Sequence, residues 1–346
     1  MKNKVYDFDI MLDWNFLAMV SKIDRFDASW SAIEKREGRS LKQLKNVATV
    51  RSVGASTRIE GSIMSDEEVK VLLENLDVTK IEDRDAQEVV GYFEVLDLIS
   101  ESYEDIEITE SSIKNLHNLL LRHSSKDQWH KGKYKQHTNA VEASFADGTK
   151  QIIFKTTDPG YPTEDAMRQL INWYKRDTET HALVKSAAFA YEFVSIHPFQ
   201  DGNGRLSRLL ATLLLLKNGY KWIQYVSFEH EIESKKNKYY LELRKCQANR
   251  PNENITDWIN FFFTALLNIQ EQLMTKLTAK GILTKLAPRE KSILIFIGNN
   301  PGCKSGGIAK KLNIPSPTVK KILTNLVKEN LIEKHGIGAG TNYSIN

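Results

Sequence analysis

The residues with the clearest chemical potential lie in one stretch of twelve, from position 197 to position 208. Its sequence is His-Pro-Phe-Gln-Asp-Gly-Asn-Gly-Arg-Leu-Ser-Arg. An imidazole with an ordinary pKa of about 6.5 can accept a proton at neutral pH, so His197 is a candidate general base. Asp201 can hold a Mg²⁺ ion that bridges phosphate oxygens. The first half of the stretch therefore predicts a base beside a metal-binding carboxylate.

The second half of the stretch is predicted to bind phosphate. Gly202 and Gly204 allow the backbone to turn around Asn203 and to approach a ligand closely. The free N–H groups at the N-terminus of the helix that follows attract anions. Arg205 and Arg208 are three residues apart and share one helix face, where guanidinium groups can bind phosphate oxygens in pairs. These features predict a polyphosphate site beside the base.

Apolar residues at helical spacing flank this stretch on both sides. They are Ala187, Ala188, Phe189, Phe193 and Val194 before it, and Leu206, Leu209, Leu210 and Leu213 after it. We therefore expect a loop between two buried helices, with Phe199 pointing inward as its anchor.

Three other interpretations of the stretch are weaker. A simple glycine turn with solvated arginines does not explain why an aspartate and two arginines converge on it. A zinc hydrolase needs more protein ligands than one His and one Asp. A P-loop nucleotidase needs GxxxxGK[ST], which does not occur in the sequence.

The stretch matches the signature HPFxDGNGRxxR of the Fic family at every specified position. The resemblance extends over roughly residues 40–277 and implies a mainly helical Fic fold with a β-hairpin flap. It implies transfer of AMP from ATP to a Ser, Thr or Tyr hydroxyl of a protein, with His197 as catalytic base and Asp201 as the Mg²⁺ ligand. The nucleotide-binding residues that it implies are Phe199, Gly202, Asn203, Gly204, Arg205 and Arg208.

A shorter motif lies upstream, at Ser56-x-x-x-Glu60-Gly61. Gly61 is predicted to end a helix, which places the Glu60 carboxylate at the end where the helix dipole disfavours negative charge. The motif resembles the [S/T]xxxE[G/N] inhibitory motif of Fic proteins, in the class with an N-terminal inhibitory helix. The resemblance implies that Ser56 and Glu60 inhibit the enzyme. We expect Glu60 to pair with Arg208 and so to withhold Arg208 from the γ-phosphate of ATP.

The segment between the two motifs is predicted to contain helices at 85–100 and 109–122 and a hairpin at 141–154 that turns at Asp147-Gly148. In the Fic family such a hairpin forms a flap that pairs with the target's chain. An ordinary surface hairpin is the alternative. Gly132-Lys133-Tyr134-Lys135 stands where the family commonly has G-x-Y-R, so Lys135 departs from the pattern. Near the N-terminus, four apolar residues are expected to pack on the domain: Trp14, Phe16, Leu17 and Trp30.

The C-terminal segment differs from the rest in charge. Residues 281–346 contain ten Lys or Arg against three Asp or Glu. Helices are predicted at Ser292–Gly298, Lys304–Leu312 and Ser316–Glu329, before a glycine-rich hairpin at Leu331–Tyr343. This order resembles a winged helix-turn-helix domain. DNA contact is favoured through the third helix, and protein–protein contact is the alternative. The candidate contact residues are Ser316, Thr318, Lys320, Lys321 and Asn325.

The chain has 346 residues, of which 41% are hydrophobic, enough for several units with a sizeable core. We expect three: an N-terminal helical region with the inhibitory motif (1–110), a Fic catalytic core (111–280) and a winged helix-turn-helix domain (281–346). Only two cysteines occur, and neither a signal peptide nor a bilayer-spanning run is recognisable. A cytoplasmic protein without a membrane partner is therefore expected.

The sequence as a whole predicts a self-inhibited protein adenylyltransferase that uses ATP and Mg²⁺. Its acceptor is a target protein, with self-modification as a second acceptor. Three alternatives remain open: transfer of UMP, phosphocholine or phosphate by the same loop, removal of AMP with Glu60 orienting water, and a DNA-binding regulator whose Fic core senses nucleotide. The oligomeric state is also open, with a homodimer as one alternative.

Overall fold

The computed structural model describes residues 2–76, 81–144, 150–277, 287–328, 331–336 and 338–345. The protein is mainly helical, and its strands in these ranges form three separate two-stranded antiparallel sheets. The chain divides into two compact units, residues 1–273 and 274–346. None of the described helices is both long and apolar enough to cross a membrane.

The first unit contains two small hairpins and ten α-helices among its described elements. In chain order these are β1 (Lys2–Val5), β2 (Phe8–Met11), α1 (Trp14–Ile59), α2 (Asp66–Glu74), α3 (Arg84–Ser102), α4 (Glu110–Leu120), β3 (Ala140–Ser144), β4 (Lys150–Lys155), α5 (Tyr161–Arg176), α6 (Ala182–Ile196), α7 (Asn203–Lys217), a 3-10 helix (Lys221–Tyr225), α8 (Phe228–Ser234), α9 (Lys236–Gln247) and α10 (Thr256–Leu277).

Helix α1 is 46 residues long, and the Ser56–Gly61 motif begins in its last turn and extends two residues beyond its end. Asp13 caps its N-terminus by accepting a hydrogen bond from the backbone N–H of Phe16. At its other end, Glu60 is the C-cap residue and Gly61 follows with φ 112°, the role predicted for this glycine. The helix is held along its length by contacts with α3, α8 and the 3-10 helix.

The expected packing of the N-terminal apolar residues is correct for two of the four. Phe16 and Trp30 are buried, whereas the side chains of Trp14 and Leu17 are 87% and 52% exposed, so their prediction was wrong. The reason is the helix itself: α1 begins at Trp14, and only one of its faces turns toward the protein. Residues 14–40 were not predicted to belong to this helix.

Helices α6 and α7 form the centre of the first unit, and the loop between them is the twelve-residue stretch. Nearly all residues of α6, and Leu206 and 209–216 of α7, are buried. Helix α5 packs on α6, while α3 and α4 pack on α7. The prediction of a loop between two buried helices is therefore confirmed, as are the helices predicted at 85–100 and 109–122.

The flap hairpin consists of β3 and β4, paired antiparallel with Ala140 opposite Lys155 and Ser144 opposite Lys150. The register shifts at Val141/Glu142, which marks a β-bulge. The predicted hairpin is thus present. Its expected turn at Asp147-Gly148 lies outside the described residues.

The second unit has the element order of a winged helix. Its described elements are α11 (Pro288–Asn299), α12 (Ser305–Leu312), α13 (Ser316–Lys328), β5 (Ile332–His335), a 3-10 helix (Gly338–Gly340) and β6 (Asn342–Ile345), with β5 and β6 paired antiparallel. Its own core includes Ile293, Ile297, Ile308, Val319, Leu323 and Leu326. The predicted helix-turn-helix and C-terminal hairpin are present.

Candidate active site

The loop between α6 and α7 is held in shape by Asn203. The Asn203 Oδ1 atom accepts a hydrogen bond of 2.8 Å from the backbone N–H of Phe199, and its Nδ2 group donates one of 2.7 Å to the Phe199 carbonyl. Gly202, at φ 80°, then turns the chain into α7. The side chain of Asn203 therefore braces the loop, and the groups left facing the site include backbone N–H groups at the start of α7.

Phe199 anchors the loop through a ring stack with His117 of α4. Phe199 is fully buried, and the two ring centroids lie 3.8 Å apart at an interplanar angle of 9°. The backbone N–H of Gly132 donates to Nδ1 of His117 at 2.9 Å, so the proton of the neutral ring lies on Nε2. That Nε2–H donates to the Asp201 carbonyl at 3.0 Å.

His117 is thus a neutral brace between α4 and the loop. Burial lowers the pKa of its imidazole to about 4, which matches its hydrogen-bonding as a neutral ring. His117 was not predicted from the sequence as a site residue. Its position on an amphipathic helix resembles that of any core histidine, and only the fold brings it to Asp201.

The imidazole of His197 has one nitrogen, Nε2, that makes no hydrogen bond to the described residues. Its Nδ1 lies 3.2 Å from the Val194 carbonyl, an acceptor, so Nδ1 is the protonated nitrogen and Nε2 has the lone pair. The residue is half-buried, and burial lowers the pKa of its imidazole to about 4. His197 is therefore neutral at pH 7, as a general base must be before it takes a proton.

Asp201 provides an ionised carboxylate at the mouth of the loop. The Gly202 N–H donates to its Oδ1 at 2.6 Å, and Nζ of Lys126 lies 3.2 Å from its Oδ2. Burial alone would raise its pKa, but the charges of Arg205 and Lys126 lower the pKa to about 2. In the described part of the chain, no cluster of three or more His, Cys, Asp or Glu side chains forms a site for a metal ion. One carboxylate fits Mg²⁺, which keeps several waters and takes further oxygens from substrate phosphates.

Arg205 lies buried between two carboxylates. Its Nη1 is 3.1 Å from Glu88 Oε2, and its Nη2 is 3.4 Å from Asp201 Oδ1. Glu88, on α3, also pairs with Arg84 at 3.1 Å. Within the described residues, Nε and Nη1 of Arg205 have no partner with hydrogen-bond geometry. Glu88, which was not predicted from the sequence, thus positions the Arg205 guanidinium through an ion pair.

Arg208 is bound by Ser56 and Glu60. The arginine is 2% exposed, and its Nε donates to Ser56 Oγ at 2.8 Å. Its Nη2 group donates to the Ser56 carbonyl at 3.0 Å and to Glu60 Oε1 at 2.8 Å. The expected pairing of Glu60 with Arg208 is present in the structure.

The same Glu60 carboxylate lies against the start of α7. A Cβ atom added to Gly204 would lie 2.3 Å from Glu60 Oε1, so no larger residue fits at position 204 while Glu60 keeps this position. The N-terminus of a helix favours a negative charge. Glu60 therefore occupies the anion-binding end of α7 as well as pairing with Arg208.

The end of α1 is itself fixed by a group of ionic contacts around Arg58. Arg58 donates to both carboxylate oxygens of Glu233, at 2.6 and 3.0 Å, and to Asp66 at 2.9 Å. Lys236 donates to the carbonyl of Ile59 at 2.7 Å. These contacts join α1 to α2, α8 and α9, and they hold Glu60 in place from outside the site.

The structure thus brings the predicted residues together around one loop. His197, Asp201, the glycines and both arginines surround the N-terminus of α7, and Ser56 and Glu60 reach it from α1. The side chain of Phe199 is turned into the core instead, and that of Asn203 is used to brace the loop.

Comparison with known proteins defines the class of both parts of the chain. Residues 107–215 match the model of the Fic/DOC family, and residues 273–338 match that of the MarR family. The chain therefore contains a Fic domain and, at its C-terminus, a MarR-type winged-helix domain.

The curated relatives include the protein adenylyltransferase Fic of Drosophila willistoni, 27% identical over 207 residues that make up 58% of this chain and 38% of that protein. A probable protein adenylyltransferase of Aquifex aeolicus is 33% identical over 89 residues, 26% of this chain and 25% of that protein. The chain thus spans less than half the length of these relatives.

Solved structures agree on the fold. A Fic family protein from Desulfovibrio desulfuricans G20 superimposes with a TM-score of 0.64 at 22% identity, over 97% of both chains. A Fic-domain signalling protein from Bacteroides thetaiotaomicron gives a TM-score of 0.61 at 24% identity, over 75% of this chain and 98% of that one.

Proposed function

We propose that this protein transfers AMP from ATP to a hydroxyl side chain of a protein, and that its own Glu60 inhibits the transfer. The observation that supports this most strongly is the arrangement at the start of α7. A neutral His197 with a free Nε2 lies on the same loop as a helix N-terminus and two buried arginines. A base next to a site for several phosphates fits attack on a nucleotide phosphate.

In the proposed reaction, Nε2 of His197 takes the proton of the attacking Ser, Thr or Tyr hydroxyl. The hydroxyl oxygen forms a bond to the α-phosphorus, the bond from that phosphorus to the bridging oxygen breaks, and pyrophosphate leaves. The backbone N–H groups at the start of α7 bind the oxygens of the α-phosphate, where negative charge is held in the transition state.

Two arginines and one carboxylate position the leaving group. Arg205 would bind the β-phosphate through donors that have no hydrogen-bond partner among the described residues. Arg208 would bind the γ-phosphate once Glu60 has released it. Asp201 would hold Mg²⁺, which would supply positive charge that offsets the charge of the departing pyrophosphate.

Glu60 and ATP compete for the guanidinium of Arg208 and for the N-terminus of α7, and the proposed inhibition follows from this competition. While Glu60 pairs with Arg208, ATP lacks its γ-phosphate partner, so the α-phosphorus is not aligned with the incoming hydroxyl. Ser56 strengthens the competition because its hydroxyl and carbonyl accept further hydrogen bonds from Arg208.

The test is a double-label experiment with the Glu60→Gly variant. Two samples are incubated with a target lysate, one with ATP labelled at the α-phosphate and one with ATP labelled at the γ-phosphate. Adenylyl transfer requires α-label in protein and none from the γ-position. Label from the γ-position alone identifies phosphoryl transfer and contradicts the proposal. His197→Ala in the Glu60→Gly background should lose most of the α-label, and His181→Ala, at the other end of α6, is its matched control.

A second function, DNA contact, is favoured by the surface of α13. This helix buries Val319, Ile322, Leu323 and Leu326 and exposes Ser316, Lys320, Lys321 and Asn325 on its other side. Exposed lysines and short polar side chains on the second helix of a helix-turn-helix suit phosphate and base contacts. We infer that the second unit binds duplex DNA, and retardation of a labelled duplex at low salt tests it.

A further inference from the structure

Lys135 is a buried lysine whose ammonium group is held by three uncharged acceptors. Its side chain is 2% exposed, and its Nζ donates to Asn139 Oδ1 at 2.9 Å, Thr156 Oγ1 at 2.9 Å and the Ile196 carbonyl at 3.2 Å. An ammonium group has three donors, so all three are used. Burying a charge without a counter-ion is costly. Such a lysine therefore calls for a functional explanation.

Two of the three acceptors lie at the base of the flap. Asn139 directly precedes β3, and Thr156 directly follows β4. Thr156 Oγ1 also donates to the Asn139 carbonyl at 2.6 Å, which closes the hairpin at its base. We call Lys135, Asn139 and Thr156 the flap-base cluster. This cluster therefore fixes where β3 begins and where β4 ends.

The same cluster holds the backbone on both sides of His197. Nζ of Lys135 donates to the carbonyl of residue 196, and the backbone N–H of Lys135 donates to the carbonyl of Pro198 at 2.9 Å. His197 lies between them in the left-handed region, with φ 55°. Residues other than glycine rarely adopt this backbone conformation, and they keep it only where surrounding contacts stabilise it. Asn139 extends the contact to the carbonyl of Phe199 at 2.8 Å.

Burial is the main cause of the lowered pKa of the His197 imidazole, and the charge of Lys135 acts in the same direction. The other charged groups that face this imidazole are Glu60 and Asp201, and both favour its protonated form. Lys135 opposes them, because a positive charge nearby disfavours a second one.

We propose that Lys135 is a positioning residue, which couples the base of the flap to the backbone on both sides of His197. Its charge also adds to the effect of burial, which is the main reason that this imidazole is neutral. The assignment of His197 as the base rests on the proposed function. The coupling between Lys135 and the loop does not rest on the proposed function, because it concerns only the shape of the loop and the protonation of the His197 imidazole. A target chain that pairs with the flap would thereby be placed relative to the base that activates its hydroxyl.

The test measures the titration of His197 directly by NMR of protein labelled at the histidine Cε1 positions, with His197→Ala to assign the signal. Two variants remove the charge: Lys135→Met also removes the hydrogen bonds, whereas Lys135→Gln keeps donors. Both are expected to raise the pKa of His197 toward the ordinary value of about 6.5. Lys135→Arg is the matched control and should leave it low. If Lys135→Met or Lys135→Gln folds and the pKa of His197 in it is unchanged, the proposal is overturned.

A second readout concerns the flap. Hydrogen exchange of β3 and β4 should be about tenfold faster in Lys135→Met, because buried acceptors lose their donor. Thr156→Val, which opens the flap base without changing charge, should also speed exchange but leave the pKa of His197 unchanged. If exchange is unaltered in both variants, Lys135 does not couple the flap to the loop.

Activity separates this proposal from the proposed function. In the Glu60→Gly background, Lys135→Met should lower kcat by ~10- to 10²-fold with little change in the KM for ATP, because it misplaces the base and leaves the phosphate site intact. If no variant transfers AMP, the proposed function fails, while the NMR and exchange results still decide the role of Lys135.

Discussion

Nη2 of Arg208 donates a hydrogen bond of 2.8 Å to Oε1 of Glu60, across 148 positions of the sequence. Both groups come from motifs that could be recognised separately. Arg208 is almost fully buried and uses its remaining contacts on Ser56, so it cannot bind a γ-phosphate while this arrangement persists. The pair therefore joins the proposed catalytic loop to the proposed inhibitor.

Glu60→Gly is expected to increase AMP incorporation into target protein, and into the protein itself, by ~10- to 10²-fold. The reason is that Arg208 and the N-terminus of α7 become available to ATP, which restores alignment of the α-phosphorus. The measurement is incorporation of α-labelled ATP at saturating ATP and Mg²⁺.

Glu67→Ala is the control for this change, since Glu67 is an exposed glutamate of the neighbouring helix α2. It should leave incorporation at the wild-type level. Equal labelling by wild type and Glu60→Gly would show that Glu60 is not an inhibitor.

Arg208→Ala is expected to abolish the gain produced by Glu60→Gly. With the arginine absent, release of Glu60 provides no partner for the γ-phosphate, and kcat/KM should fall by about 10²-fold in the double variant. Steady-state kinetics of the single and double variants measure this coupling.

Arg176→Ala is the matched control, because Arg176 is an exposed arginine at the end of α5. Arg176→Ala should leave kcat/KM nearly unchanged, both in the wild-type protein and in Glu60→Gly. A Glu60→Gly/Arg208→Ala enzyme as active as Glu60→Gly would remove Arg208 from the proposed phosphate site.

The sequence predicts those parts of the site whose residues lie close together in the chain. Residues 197–208 include a base, a carboxylate, two glycines and two arginines within a few turns, so their spacing alone implies a loop and a helix start. The Ser56–Gly61 motif ends at a glycine that follows a helix, which is also a local signal.

The parts that sequence reasoning missed depend on contacts between distant elements. Glu88, His117 and Lys135 reach the loop from α3, α4 and the segment before the flap, and no local pattern reveals the role of any of them. Trp14 was misjudged for a related reason. Apolar character suggests burial, but its exposure depends on which face of a long helix meets the core.

The pH dependence of transfer should show the lowered pKa of His197. A general base must be neutral, and burial lowers the pKa of this imidazole to about 4. Activity should therefore be constant from about pH 8 to about pH 5.5 and fall only below about pH 5. An ordinary histidine would already be half protonated at about pH 6.5.

The measurement is kcat for Glu60→Gly across this range, with circular dichroism at each pH as the control for folding. Loss of half the activity at about pH 6.5, with the fold intact, would contradict the assigned state of His197.

DNA binding by the second unit should depend on Lys320 and Lys321. The full-length protein is expected to retard duplex DNA at low salt, with log affinity falling linearly with log salt concentration. Lys320→Glu/Lys321→Glu should weaken binding and reduce the magnitude of that slope by about 0.9 for each phosphate that the protein no longer neutralises. Gel retardation across a salt series measures both quantities.

A double variant of equal charge change, Lys175→Glu/Arg176→Glu on exposed positions of α5, is the control. If both double variants weaken binding equally, the effect is one of net charge, and α13 is not the contact surface.

The most direct test of the proposed transfer is the intact mass of the protein and of a purified target after incubation with ATP and Mg²⁺. Glu60→Gly should gain the mass of one or more adenylyl groups on Ser, Thr or Tyr. Glu60→Gly/His197→Ala, which keeps the phosphate-binding residues, should show a rate lower by at least about 10²-fold. An adenylyl adduct that forms equally fast without His197, or a mass gain other than an adenylyl group, would contradict the central claim.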